Sequence, residues 1–176
     1  MAESLTIRAL VATDIAAYKH LRDTALAAEP EAFTSDAAAE ALKPALAHLP
    51  RFGLERPDPQ RGGRFTLGAF DGADLVGAVT CDREPRLKVR HIANVTGMMV
   101  LTPARGQGIG RRLLAECIAK ARLATGLEML NLSVTASNRI AVELYLRAGF
   151  TRYGTLPHAI KVGDQYHDKD LMVLTL

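Results

Sequence analysis

Tryptophan is absent from this chain and aromatic residues make up only 5% of it, while cysteine occurs twice. Cys81 and Cys117 lie far apart and form no CxxC pair, which argues against a disulfide framework and predicts a reducing compartment. Cys117 falls on an apolar helical stripe, where a thiol behaves as a small buried hydrophobe. No run approaches the roughly 20 apolar residues of a membrane span. Met1 to Thr6 lacks the charged-then-apolar pattern of a signal peptide. The expectation is a cytoplasmic protein with no membrane partner. A large charge excess is also missing, since the formal net charge is +3 with a pI near 9.0. The basic residues are dispersed, with no stripe of interleaved aromatics, so nucleic acid is not an expected partner. There is no internal repeat and no low-complexity tract.

What is present suffices for one domain with a sizeable core: 176 residues, 48% hydrophobic and 23% charged. Leu5 to Leu10 alternates as a first strand. Thr13 is placed to cap a helix carrying Ile15, Tyr18, Leu21 and Leu26, which Pro30 interrupts. Ser35 is placed to cap a second, Ala-rich helix ending before Pro50, and the Pro- and Gly-bearing stretch 51–63 reads as a surface connection. Arg64 to Phe70 and Leu75 to Cys81 read as strands joined in a hairpin, followed by a longer strand over Val89 to Val100. A helix follows from Gly108 to Thr125, then a strand from Glu128 to Thr135. A short helix from Asn138 to Ala148 closes at Gly149, and the last strands are Phe150 to Leu156 and Lys169 to Leu176. The order predicts an α/β fold.

The chemistry concentrates where Val100 ends a strand and Arg105-Gly106-Gln107-Gly108-Ile109-Gly110-Arg111-Arg112 leads into a helix. The first amides of a helix lack internal partners and point outward, and the helix dipole favours an anion there. Gly106, Gly108 and Gly110 let a phosphate approach the backbone, while Arg105, Arg111 and Arg112 offer complementary charge. A P-loop would need Lys and then Ser or Thr after the last glycine. A dinucleotide fingerprint would need G-x-G-x-x-G, whereas these glycines run G-x-G-x-G. Both spacings fail, leaving a diphosphate site of another kind.

The stretch resembles motif A of the Gcn5-related N-acetyltransferases, R/Q-x-x-G-x-G/A, through Arg105, Gly108 and Gly110. About 30 residues later, Asn138, Ala141, Leu144-Tyr145 and Ala148-Gly149-Phe150 are similar to motif B of that family. With the flanking hairpin and final strands, the resemblance covers nearly the entire chain, as one N-acetyltransferase domain over residues 1–176. The phrases Pro30-Glu31-Ala32-Phe33 and Tyr166 to Leu174 also look like a bacterial subgroup of largely unassigned substrate.

This resemblance implies a mixed, mostly antiparallel sheet with flanking helices, splayed at a central β-bulge near Gly97. It implies acetyl-CoA as co-substrate and no metal. The backbone of Met98 and Val100 would hold the pantetheine arm, and one amide, of Met98 or Met99, would face the acetyl carbonyl as an oxyanion donor. The methionine side chains themselves read as core. Arg105, Gly106, Gln107, Gly108, Gly110 and Arg111 would hold the pyrophosphate. Asn138 and Tyr145, seven residues apart, share one helix face. By resemblance Asn138 would touch the pantetheine arm, and Tyr145 would donate a proton or hydrogen bond to the departing thiolate.

No base is assigned. Many relatives carry Glu six positions before the residue matching Val100, and Asn94, which stands there, cannot accept a proton at neutral pH. His91 has a suitable ordinary pKa, and water would also serve. The resemblance puts the acceptor between the first helical pair and the last strands, with Tyr18, Arg22, Glu31, Phe33, His158 and Tyr166 as candidate lining. The favoured acceptor is a small-molecule amine. A protein N-terminus or lysine is the alternative, and a non-catalytic acyl-CoA sensor is the alternative of another class. A homodimer is compatible with every one of these readings.

Overall fold

Residues 5–53 and 63–176 are described in the computed structural model of the chain. β2 (Arg64–Asp71) and β3 (Asp74–Arg83), buried along most of their length on both faces, build a hairpin in which Asp71 faces Asp74 across the turn residues Gly72 and Ala73. Gly72 supplies the positive φ, 57°, that so tight a turn favours. β1 (Thr6–Ala9) adds to the outer edge of β2, and β4 (Ile92–Val100) to β3. The chain then crosses over through α3 (Ile109–Arg122) to β5 (Met129–Thr135), the one parallel pairing of the sheet. After α4 (Arg139–Arg147), a long hairpin of β6 (Thr151–Val162) and β7 (Gln165–Thr175) completes it, with β7 against β5. The sheet order is β1-β2-β3-β4-β5-β7-β6.

Two features of β4 set up the site. Met99 stands opposite Ala78 and Thr96 opposite Thr80, so Gly97 and Met98 together face Val79, a one-residue bulge. Gly97 takes φ 59°, while an added Cβ would meet only Thr80 Oγ1 at 3.8 Å, so conformation rather than space asks for glycine. The second feature is the brevity of the parallel pairing. β4 and β5 pair only over Ile92–Asn94 and Met129–Asn131, and beyond that the strands part.

Each face of the sheet has its own core. α3 and α4 cover one face, where Leu113, Leu114, Cys117, Leu130, Phe150 and Met172 are buried. Burying each leucine side chain there contributes about 2 kcal/mol. On the other face α1 (Ile15–Ala28) packs Tyr18, Leu21 and Ala25 against Phe52, Leu75 and Met99. Cys81 and Cys117 are free, buried neighbours across the β3–α3 contact, and the adjacent Cys117 thiol, followed by burial, pushes the Cys81 pKa up.

The expected helix caps differ in detail. Thr13 lies in a 3₁₀ turn, Ala12–Asp14, ahead of α1, and Asp14 instead accepts from the Val11 N–H at 2.8 Å. Asp36, not Ser35, caps α2 (Ala37–Ala41), accepting from the Ala39 N–H at 2.8 Å; Ser35 Oγ accepts from Arg22. Asp36 thus takes the α2 cap from Ser35, whereas α1 begins with no side-chain cap bond from Asp14. The Ala-rich helix is also short, giving way to a 3₁₀ stretch over Ala45–Phe52 whose Phe52 is buried core, so the expected surface connection begins later than residue 51. Its residues 54–62 lie outside the described ones. The final hairpin strands run longer than expected, to Val162 and from Gln165.

Candidate active site

The gap between β4 and β5 forms a cavity of about 400 Å³. Its walls include Phe33 from the segment after α1, Asn94 and Met98 from β4, Asn131 from β5, and Asn138 and Tyr145 from the α4 side. Asn138 Oδ1 accepts from the Ala141 N–H at 3.1 Å and so caps α4, fixing its position at the cavity wall. Two turns along, Tyr145 is buried, edge-on to Phe150 with ring centroids 5.9 Å apart. Burial, and secondarily Cys117, pushes its phenol pKa up.

The α3 turn stands beside this gap. Gly106 and Gly108 have φ of 80° and 75°, and an added Cβ at Gly106 would meet nothing within 4 Å. The Arg112 N–H closes onto the Gly108 carbonyl at 3.1 Å, so the earlier amides of that turn, Ile109 to Arg111, have no helical partner. Gly110 packs against Leu144, Met98 and Val100, joining α3 to α4 and β4. A separate groove of about 960 Å³ lies between α3 and α4, lined by Gly108, Arg111, Arg122, Arg139 and Leu144 among others. Among the described residues no carboxylate pairs with Arg111, Arg122 or Arg139, whereas Arg147 of the same groove is held by Glu143 at 2.8 Å. Unpaired amides, absent side chains and free arginines fit a phosphate-bearing ligand such as coenzyme A.

Backbone direction along β4 separates the two methionines. The Leu101 N–H bonds the Val76 carbonyl on β3, and Met99 stands in register with Ala78 two positions back. Alternation then turns the Met99 amide toward β3 and those of Met98 and Val100 toward the open side. Met99 is also buried as a side chain, at 4% exposure, in the core under α1. Of the two methionine amides, that of Met98 therefore faces the open side.

Two of the arginines around the turn are held by protein groups. Arg105 forks onto Glu29, with Nη1–Oε1 at 2.6 Å and Nη2–Oε2 at 2.9 Å, and its Nε donates to the Val100 carbonyl at 2.9 Å. Arg112 donates to the Leu5 carbonyl at 3.1 Å. Gln107 and Arg111 stay exposed at the turn.

Of the candidate acceptor residues, Arg22 and Phe33 line cavities, but Tyr18 is fully buried against Phe52 and His48. Glu31 uses its carbonyl to accept from Thr135 Oγ1 at 2.7 Å. His158 sits at an irregularity of β6 with φ 52°, its ring 4.7 Å from that of Tyr166, and both are exposed. Neither they nor His91 border the cavity between β4 and β5.

Sequence reasoning missed Lys169, half-buried on the cavity wall within 3.5 Å of Ser133 Oγ, whose pKa burial lowers. It also missed Glu84, which accepts from Asn94 Nδ2 at 3.2 Å. The β7 alternation could have placed Lys169 on the β5-facing hairpin, but nothing local marks Glu84.

A mixed sheet parted beside a bulge, with an anion-seeking glycine turn at the parting, defines the acetyltransferase fold class. The acetyltransferase (GNAT) family profile matches residues 19–150, and the chain belongs to that family. It is 32% identical over 90 residues to N-alpha-acetyltransferase MAK3 of Arabidopsis thaliana, covering 51% of this chain and 46% of that one. It is 35% identical over 83 residues to the aminoalkylphosphonate N-acetyltransferase of Salmonella typhimurium, covering 47% and 53%. The chain thus matches about half the length of these curated relatives. A GNAT-family acetyltransferase from Streptococcus pneumoniae has the same fold, with a TM-score of 0.86 at 24% identity over 98% of this chain and 100% of that one. No helix among the described residues is long and apolar enough to cross a membrane.

Proposed function

We propose that residues 1–176 act as one N-acetyltransferase domain, moving the acetyl group of acetyl-CoA to a small-molecule primary amine. One observation carries this reading: β4 and β5 part after Asn94 and Asn131 beside the α3 glycine turn, and the cavity so formed reaches Tyr145.

Bound acetyl-CoA supplies the activated acyl carbon as a thioester. The amides of Ile109 to Arg111, with Gly106, Gln107, Gly108, Gly110 and Arg111, hold its phosphates. Arg105 pins that turn to Glu29 and to the end of β4. The Met98 and Val100 backbone holds the pantetheine arm as an added strand, with the Met98 amide turned to the carbonyl oxygen. Asn138 orients the arm from the α4 side. The amine nitrogen bonds the acetyl carbon as the carbon–sulfur bond breaks, and the nitrogen's proton leaves to water. Tyr145 keeps its own proton at the phenol oxygen, directed at the sulfur. With its pKa raised by burial and an ordinary thiol near 8.5, full transfer runs uphill, so the phenol acts as a hydrogen-bond donor.

The test is release of free thiol from acetyl-CoA by the purified protein across a panel of amines, with peptide N-termini and lysine peptides as a second arm. Thiol release with small amines and not with peptides is expected. Tight coenzyme A binding with no release in either arm would turn the reading toward a non-catalytic sensor.

A further inference from the structure

A second cavity, of about 510 Å³, opens from the first at the bulge, since Phe33, Thr34, Thr96 and Gly97 line both. It lies on the α1 side of the sheet, and its far walls carry Arg22, Arg51 and Arg64 with Asp82. Arg64 is paired with Asp82 across the β2–β3 ladder. Arg22 is 3% exposed, its Nε donating to Glu40 Oε2 at 2.8 Å and its Nη2 to Ser35 Oγ at 2.9 Å. Glu40 is shared with Lys43, so one carboxylate serves two cations. Arg51 is half-buried, and no carboxylate among the described residues pairs with it. Among the described residues the cavity walls therefore carry Arg22, Arg51 and Arg64 against Asp82, with Glu40 behind Arg22. Buried His48 senses the excess: burial lowers its pKa first, and Arg22, Arg51 and Lys19 lower it further against the pull of Glu40.

A positive excess in a concave, partly desolvated site attracts an anion more strongly than it would in water, and guanidinium groups suit carboxylates and phosphonates. We propose that this cavity holds an acidic group of the acceptor, making the substrate a small amine that also carries a carboxylate or a phosphonate. Arg51 supplies the uncompensated charge, and Arg22, oriented by Glu40 and Ser35, supplies a fixed wall. The acid end then lies toward the arginines and the amine end toward Gly97, where the two cavities meet. This rests on the acetyl-transfer reading above and narrows its substrate.

The experiment pairs each acid-bearing amine with a neutral twin of the same skeleton, an amino acid with its amide and an aminoalkylphosphonate with the plain alkylamine. Wild-type protein is expected to favour the acids in kcat/KM by roughly 10- to 100-fold, the scale of one charged hydrogen bond. Arg51→Gln is expected to remove most of that preference through KM, leaving the neutral twins unchanged, and Arg51→Lys to restore part of it. The carboxylate and phosphonate arms report which acid fits better. Equal use of acids and twins by wild type, or an equal loss for both in Arg51→Gln, overturns the proposal. If no amine releases thiol, the acetyl-transfer reading fails by itself. Titration of the same acids into the protein with coenzyme A then still decides the anion site, and binding that does not depend on Arg51 overturns it.

Discussion

Arg105 and Glu29 form a two-pronged ion pair across 76 residues of sequence, tying the loop before α3 to the end of α1. The same guanidinium holds the Val100 carbonyl through Nε, so one side chain fixes the end of β4, the glycine turn and the cavity wall. If the Arg105 bond to Val100 is what pins the turn, the two substitutions should differ in effect. Arg105→Ala is expected to weaken coenzyme A binding about tenfold, the loss of a charge-assisted contact and the order it imposes. Glu29→Gln keeps the Val100 bond and should change affinity less than about threefold, because exposed ion pairs contribute little. Titration calorimetry on both variants makes the comparison, and equal losses would show that the ion pair with Glu29, rather than the Val100 bond, pins the turn.

Tyr145 stands in the cavity with its phenol held protonated by burial. Tyr145→Phe keeps the ring contact with Phe150 and removes only the hydroxyl. The expected result is a fall in kcat of about 100-fold, at the low end for a positioned proton donor, with KM for acetyl-CoA within about twofold. Because the pKa is raised, the hydroxyl stays protonated through at least pH 10, the ordinary value for tyrosine. Any alkaline loss of rate below that should therefore persist unchanged in the variant. A rate limb that vanishes with the hydroxyl would show that the phenol titrates in the working range.

The parts of the site that were legible in the sequence are those where one residue type answers one backbone demand. Gly97 marked the bulge and Gly108 the start of α3 because both take positive φ, and the seven-residue spacing put Asn138 and Tyr145 on one face. What escaped was set by long-range packing. Nothing local to Arg105 announces Glu29, nor does anything near Arg22 announce Glu40. Ser35 was a plausible cap until Asp36, one position further on, took the Ala39 amide, and Thr13 fell inside a 3₁₀ turn ahead of α1. Arg51 read as part of a surface connection, yet the burial of Phe52 beside it turns that segment over the second cavity.

Gly108 allows a cleaner separation of backbone strain from electrostatics. It takes φ 75°, so Gly108→Ala forces a left-handed conformation that costs about 1–2 kcal/mol of stability. Gly108→Glu carries the same strain and adds a carboxylate where the unpaired amides of Ile109 to Arg111 face outward. Both variants should lose a similar amount in chemical denaturation. Coenzyme A affinity should fall at least about tenfold further in the glutamate variant, since a like charge then meets the phosphates. Matching affinities in the two variants would remove the phosphates from this turn.

Glu40 links the stability of the α1 side to pH. Burial favours its neutral form, yet the hydrogen bonds from Lys43 and Arg22 outweigh that and bring its pKa down to about 2 from the ordinary 4.5. A carboxyl whose folded pKa is depressed stabilises the fold fully above its unfolded pKa, and that contribution is lost as pH falls through the folded value. The window therefore runs from about pH 5 down to about pH 2. Glu40→Gln also leaves the buried Arg22 guanidinium without its charge partner, so the expected loss at pH 7 is about 3 kcal/mol. At pH 3, where the unfolded chain is already mostly protonated at this position, the difference between wild type and variant should shrink to about half or less. Urea denaturation at the two pH values reads this directly, and a difference that stays constant from pH 7 to pH 3 would mean that Glu40 acts by shape and packing rather than by charge.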